Sequence, residues 1–184
     1  MPRGNKRIYL TFDDGPHPDI TPKVLAILNE FDAKATFFCV GHNVEKYPET
    51  YQMIISAGHQ VGNHSFNHLK GWRFSTKEYY DNIKKASSLI QSVYFRPPYG
   101  RITPTQICKL KKEYRIVMWS VLSYDFDNET SAGQCIENVI RNVKDGDIVV
   151  YHDSEKASEN MLSTLPKVLE ILKKGGFSFA SLQD

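Results

Sequence analysis

Two adjacent carboxylates, Asp13 and Asp14, stand in Thr11-Phe12-Asp13-Asp14-Gly15-Pro16, directly after the apolar run Ile8-Tyr9-Leu10. A buried strand running out into a turn is a costly place for two like charges, because neighbouring carboxylates repel unless a cation divides them or one keeps a proton. Further along, Asn63-His64-Ser65-Phe66-Asn67-His68 offers two imidazoles at i and i+4, the spacing that puts both on one face of a helical turn and lets them grip one ion. Asp14, His64 and His68 then make an Asp-His-His set with a position left for water, the arrangement of a catalytic metal centre. Such borderline-soft ligands suit zinc, with cobalt or nickel as alternatives, better than magnesium or calcium.

Taken singly, each motif has a bland reading. Asp-Asp-Gly-Pro is usually a turn, and two histidines four apart usually decorate a solvated helix face. Their company is what changes the reading. In Arg96-Pro97-Pro98-Tyr99-Gly100 the prolines and the glycine impose a rigid loop of the kind that positions a backbone donor, and His152 closes a late apolar run. Together these residues read as an active site.

The elements that must position them alternate along the chain. Strands are predicted over Ile8–Asp13, Ala35–Val40, Gln60–Asn63, Tyr94–Arg96, Arg115–Val121, Asp147–His152 and Phe177–Ser181. Several are continuous apolar runs, as expected of strands buried on both faces of a parallel sheet. Helices fall between them, one with Thr21 as N-cap and Pro22 at its first position, another running through Leu162, Leu165, Val168, Leu169 and Leu172 to a stop at Gly175-Gly176. Repeated βα units predict a parallel sheet with right-handed crossovers, closed or nearly closed as a barrel, although an open doubly wound sheet gives the same pattern. Asp13, Asp14, His64, Arg96, Asp125 and His152 all fall at or just beyond the C-terminal end of a predicted strand, the edge where α/β barrels carry their active sites.

The 184 residues fit one domain, 1–184. A formal net charge of +2 with no basic stripe argues against nucleic acid or an anionic membrane as principal partner. Cys39, Cys108 and Cys135 are an odd number without paired spacing and are expected to be free buried thiols. No apolar run is long enough to span a membrane, and the basic stretch Met1 to Arg7 gives way to a strand before the hydrophobic segment of a signal peptide could fit. Localisation stays open, since a leader or anchor upstream would place the domain at the cell envelope or outside the cell. A monomer is favoured.

In order, Thr11 to Pro16, His64 to His68, Arg96 to Gly100, Trp119 through Phe126 and Val150-Tyr151-His152 closely resemble the motifs of the polysaccharide deacetylase family, the NodB-homology domain of carbohydrate esterase family 4, over about residues 8–180. The resemblance implies a distorted, NodB-like (β/α)7-type barrel that removes acetyl groups, with a divalent metal, from glycans containing N-acetylglucosamine, such as chitooligosaccharide or peptidoglycan. It further implies Asp14, His64 and His68 as metal ligands, Asp13 as general base oriented by Arg96, the backbone N–H of Tyr99 in the oxyanion hole, and His152 as general acid supported by Asp125. Pro98, Tyr99, Trp72 and Phe126 are expected to meet the sugar. Trp72 is assigned there because Lys70 to Phe74 follows the metal histidines, where an aromatic can stack on a pyranose face.

Three positions depart from the family pattern. Leu122 stands where an Asp is usual, Phe126 where a Trp is usual and Val150 where Leu is common. Leu122 is expected to pack in the core without catalytic effect, leaving Asp125 as the acidic partner of His152. His17 is expected to line the cleft without binding metal. Two other readings remain: hydrolysis of a small non-sugar amide, and a carbohydrate-binding domain that has lost turnover. The second sits poorly with the joint presence of Asp13, Asp14, His64, His68, Arg96 and His152. A glycosidase would need a second carboxylate across the scissile bond, and none is assignable.

Overall fold

A computed structural model of the chain describes residues 6–182; the first five residues of the basic stretch Met1 to Arg7 lie outside them. Within them the strands are β1 (Arg7–Asp13), β2 (Thr36–Cys39), β3 (Gln60–Asn63), β4 (Tyr94–Phe95), β5 (Arg115–Ile116), β6 (Val121–Leu122), β7 (Ile148–His152) and β8 (Ser178–Ala180). The helices are α1 (Thr21–Glu30), α2 (Gly41–Lys46), α3 (Pro48–Ser56), α4 (Thr76–Ser87), α5 (Pro104–Leu110), α6 (Ala132–Ile140) and α7 (Ser158–Lys174). The strands pair in the order β5-β4-β3-β2-β1-β7-β6, every pairing parallel, and curl into a distorted, single-domain barrel with helices around it.

β1 is the axis of this sheet. Along one edge β7 accompanies it from Tyr9↔Ile148 to Asp13↔His152, a register that sets the two reactive strand ends side by side. The other edge is shared: β8 pairs the lower part, Arg7 to Tyr9, and β2 the upper part, Thr11 to Asp13. Alternation along the strand sends Ile8, Leu10 and Phe12 into the helix-covered core, with Leu165, Val168 and Leu169 of α7 and Val24 and Leu28 of α1. Tyr9 goes to the opposite face, the barrel interior, where it packs with Phe38, Ala180 and Leu182. Thr11 and Asp13, two and four residues on, share that inner face and lead up to the mouth.

The predicted strand Arg115–Val121 is in fact two short strands. Val117 N–H donates to Phe95 O at 2.8 Å and Ser120 N–H to Ile148 O at 3.0 Å, so the segment leaves the β4 side and joins the β7 side. One straight strand could not pair with both edges. At the crossing, the carbonyls of Val117 and Met118 accept from Arg96 Nε and Nη2 at 3.3 and 3.2 Å, a side chain standing in for ladder donors.

Helix ends follow local chemistry, with one correction. Thr21 is the first residue of α1 and not its cap, because its hydroxyl is committed to Asp153 Oδ2 at 2.6 Å. α7 stops at Gly175, and Gly176 takes the left-handed backbone at φ 82°. Capping boxes open α4 (Ser75/Glu78), α5 (Thr103/Gln106) and α6 (Ser131/Gln134). Cys39 and Cys135 are buried free thiols as expected, but Cys108 is exposed, on the outer face of the short helix α5. No helix among the described residues is long and apolar enough to cross a membrane.

Gly62 pairs with Phe38, and a Cβ there would sit 2.5 Å from that ring. The other occupant of the Phe38 ring is the Arg96 guanidinium, 4.1 Å from its centroid. Gly62→Ala is therefore expected to cost about 1–3 kcal/mol, the usual range for overpacking. Urea unfolding should show a lower midpoint at unchanged slope; an unmoved midpoint would mean that the ring has room to yield.

Candidate active site

β1 ends at Asp13 and the chain turns left-handed at Asp14, φ 83°. The two carboxylates are thereby given different partners. Asp13 Oδ1 accepts from Arg96 Nη1 at 2.7 Å, whereas Asp14 Oδ1 lies 3.1 Å from His68 Nε2 and 3.7 Å from His64 Nε2. Burial pushes the Asp14 carboxyl up, but the hydrogen bond from His68 and the neighbouring imidazoles of His152, His64 and His68 outweigh it and hold the group well below the carboxylate range.

The turn itself is tied from outside. Asn43 Nδ2 donates to Asp14 O at 2.8 Å, and Gly15 N–H donates to Asp153 Oδ1 at 3.0 Å. A Cβ on Gly15 would meet the Asp153 carboxylate at 2.1 Å, so glycine is required by close approach. Burial lifts the Asp153 carboxyl to about 7 against the opposing hydrogen bond from Thr21, with the charge of Asp14 adding to the rise. Asp153 was missed from sequence. Its signal was position: a carboxylate directly after His152, where the apolar run ends.

His64 and His68 converge as expected, but not on a helix. β3 ends at Asn63, and the bend that follows uses left-handed Ser65 and His68, φ 64° and 53°. Asparagine side chains satisfy its amides: Asn63 Oδ1 accepts from Ser65 N–H at 2.8 Å, and Asn82 Oδ1 from Phe66 and Asn67 N–H at 2.9 and 3.1 Å. His64 Nδ1 lies 2.8 Å from Arg96 O. A carbonyl can only accept, so Nδ1 carries the proton and the Nε2 lone pair faces the two aspartates. Burial draws the His64 pKa down to about 4 despite Asp13 nearby, keeping the ring neutral as a metal ligand must be. One ligand atom each from Asp14, His64 and His68 lie within 4.8 Å of one another, and among the described residues no other such cluster occurs. A carboxylate oxygen and two imidazole nitrogens fit a divalent transition metal.

Arg96 is fully buried beside this cluster. Besides Asp13, its Nη1 donates to Thr11 Oγ1 at 2.7 Å, and the Thr11 hydroxyl in turn donates to Val149 O at 2.8 Å. Across the mouth, His152 Nδ1 lies 2.8 Å from Asp125 Oδ1, while His152 N–H donates to Asp125 Oδ2 at 2.7 Å and Ser123 Oγ to Oδ1 at 3.0 Å. Burial alone would lower the His152 pKa; the hydrogen bond to Asp125 and its charge, with Asp14 and Asp13 behind, raise it to about 9.

Asp13, Asp14, His64, His68 and His152 line a cleft of about 1010 Å³, walled by Trp72, Tyr99, Trp119 and Phe126 among others. Phe126 meets the His152 ring edge-on at 4.9 Å, and Tyr99, left-handed at φ 58°, lies 4.6 Å from the His68 ring. Leu122 is not a core residue as expected: half-buried, it lines this cleft with Val150, because β6 ends there at the mouth. Pro98 is buried in the turn that carries Tyr99 and is not among the residues that line the cleft. Nor does His17 line it. Its Nδ1 accepts from Asp19 N–H at 3.2 Å and its ring turns towards Tyr47.

With this geometry in place, the chain matches a family model described as Polysaccharide deacetylase over residues 1–119. It is 34% identical to a peptidoglycan-N-acetylglucosamine deacetylase of Bacillus cereus, covering 100% of this chain and 90% of that protein. The crystal structure of the Bc1960 peptidoglycan N-acetylglucosamine deacetylase superposes with a TM-score of 0.93 at 32% identity, over 98% of this chain and 88% of that one. A wild-type CE4 family pseudoenzyme from Bacillus anthracis superposes with a TM-score of 0.86 at 25% identity, over 99% and 66% respectively. The barrel alone therefore does not decide activity; the residues at its mouth do.

The His152–Asp125 pair gives a pH signature in the metal-free protein. A histidine raised from 6.5 to about 9 contributes stability that is complete below pH 6.5 and lost as pH climbs through 9. Unfolding free energy, measured with chelator present, should fall across that window by at most about 1.4 kcal/mol per pH unit. In Asp125→Asn the decline should flatten. An equal slope in the variant would place its origin elsewhere.

Proposed function

The chain belongs to the polysaccharide deacetylase family, and from that premise we propose that it hydrolyses the acetamide of N-acetylglucosamine residues in a peptidoglycan-type glycan. The observation that carries this reading is the separation of neighbouring acids: Asp13 is held by Arg96, Asp14 joins two imidazoles, and His152 stands opposite with its own carboxylate.

Asp14 Oδ1 and the Nε2 atoms of His64 and His68 are the donors that would hold the divalent cation. Such a cation lowers the pKa of a water from about 15.7 towards 7 and polarises the acetyl carbonyl. The remaining steps belong to the chain's own side chains. Asp13, oriented by the hydrogen bond from Arg96 Nη1, accepts the proton that the attacking water gives up as its oxygen bonds the carbonyl carbon. The Tyr99 backbone N–H, presented on its rigid Pro97-Pro98 loop, donates to the oxyanion. His152, protonated through Asp125, gives its proton to the departing amine nitrogen as the C–N bond breaks. Acetate and a free amino sugar result.

Trp72, Tyr99 and Phe126 would meet the glycan along the cleft walls. An exported or cell-envelope location goes with such a substrate. Hydrolysis of a small non-sugar amide is the competing reading, and the size of the cleft, about 1010 Å³, favours the larger substrate.

His64→Ala should abolish stoichiometric metal in elemental analysis while the circular-dichroism spectrum is retained. Asp13→Asn should keep the metal and lose roughly a hundredfold to ten-thousandfold in acetate release from N-acetylglucosamine oligomers, the usual worth of a positioned base. Near-normal turnover in Asp13→Asn, or acetate release indifferent to chelator, would contradict the assignment. Release from small amides alone would favour the competing reading.

A further inference from the structure

The aromatic walls of the cleft are occupied by cations. Lys70 Nζ stands 4.3 Å from the Tyr99 ring centroid, the Arg101 guanidinium 4.3 Å from Trp72, and Lys156 Nζ 5.6 Å from Phe126. All three line the same cleft as the site, and no carboxylate lies within 4.0 Å of any of them among the described residues. Each follows a residue of the site closely in sequence: Lys70 after His68, Arg101 after Tyr99 and Lys156 after His152.

Lys46, Lys85 and Lys109 elsewhere on the molecule also lie over aromatic rings, so the ring contact is not what sets the cleft cations apart. Their distinction is that three of them converge on one cleft with no carboxylate partner among the described residues. The acids of the cleft do not balance them. Asp13 is paired with Arg96 and Asp14 with His68, leaving Glu155 as the one other carboxylate in the lining. Three cations against one acid make the walls positive on both flanks of the reacting centre. A neutral sugar would use these rings as stacking platforms, yet one face of Trp72 and of Tyr99 is already covered.

We propose that Lys70, Arg101 and Lys156 form an anion-recognition rim that selects glycan strands carrying free carboxylates on the sugars next to the reacting N-acetylglucosamine, as N-acetylmuramic acid does where its lactyl carboxyl is not bonded to a peptide, over neutral strands. This rests on the deacetylase reading and deepens it: the reacting sugar is neutral, and the rim reads its neighbours. Exposed charge contacts are each worth roughly a factor of two, so three multiply to about eightfold. The effect is screened by salt, the Debye length being about 10 Å at 0.1 M.

The test is calorimetric binding to the zinc-loaded protein of three probes: a tetrasaccharide alternating N-acetylglucosamine and N-acetylmuramic acid with free lactyl carboxylates, its lactyl methyl ester, and the N-acetylglucosamine tetramer. At 20 mM salt the free acid should bind about eightfold more tightly than its ester, an advantage shrinking towards unity at 300 mM. The advantage should vanish in the triple variant Lys70→Gln, Arg101→Gln, Lys156→Gln. It should persist in Lys70→Arg with Arg101→Lys, where charge is kept. Equal binding of acid and ester to the unmodified protein, or an advantage that survives the triple glutamine variant, would overturn the proposal. The deacetylase reading is scored separately, by acetate release from the neutral tetramer: its failure there leaves the acid-to-ester ratio still measured.

Discussion

Everything at the mouth of this barrel hangs on one buried cation. Arg96 has no exposure to solvent, and a guanidinium in that position is tolerated only if its fork is filled. Asp13 and Thr11 take one nitrogen, the carbonyls of Val117 and Met118 take the others, and Phe38 covers a face. The side chain thus bridges β1 to the segment where the sheet fails to close. Its backbone does a second job, since Arg96 O accepts the hydrogen bond from His64 Nδ1–H. One residue therefore fixes the orientation of a proposed base and the tautomer of a proposed ligand. Removing a partner from such a buried pair typically costs about 3–5 kcal/mol, so fold and site cannot be altered independently here.

Four carboxylates crowd the same few turns, and their roles are divided by what each one faces. Asp13 faces a guanidinium, Asp14 two imidazoles, Asp125 the His152 ring and amide, and Asp153 a hydroxyl and an amide. Burial pushes the Asp153 carboxyl upward, to about 7. The left-handed backbone at Asp14 is what allows two sequence neighbours to take such different partners. Gly15, packed against Asp153, and Asn43, bonded to the Asp14 carbonyl, hold that backbone in place.

Much of this was legible in the sequence because strand ends are marked by apolar runs that stop at polar residues. Gln60–Asn63 is found as predicted, and β1, β2, β4, β7 and β8 differ from their predicted spans by a residue or two at the ends. What periodicity could not show was the crossing between β5 and β6, since apolar character runs on through it while the hydrogen bonds change strands. The spacing of His64 and His68 pointed to one ion for the wrong reason: an irregular bend tied by Asn63 and Asn82 brings the rings together, and side-chain-to-amide bonds leave no period to read. Thr21 looked like a helix cap because its type suits one, but a long-range partner, Asp153, claimed its hydroxyl. Leu122 looked like core because leucine usually is; its place at the end of β6 puts it on the cleft wall.

The central claim is that Asp14, not its neighbour Asp13, joins His64 and His68 around a metal while Asp13 stays on Arg96. The most direct measurement is a crystal structure of the zinc-soaked protein with anomalous data collected at the zinc edge. The expected result is a single strong peak about 2.0–2.2 Å from Asp14 Oδ1, His64 Nε2 and His68 Nε2, with the Asp13–Arg96 hydrogen bond intact. A peak coordinated by Asp13 in place of Asp14, or no peak in this cluster at saturating zinc, would contradict it.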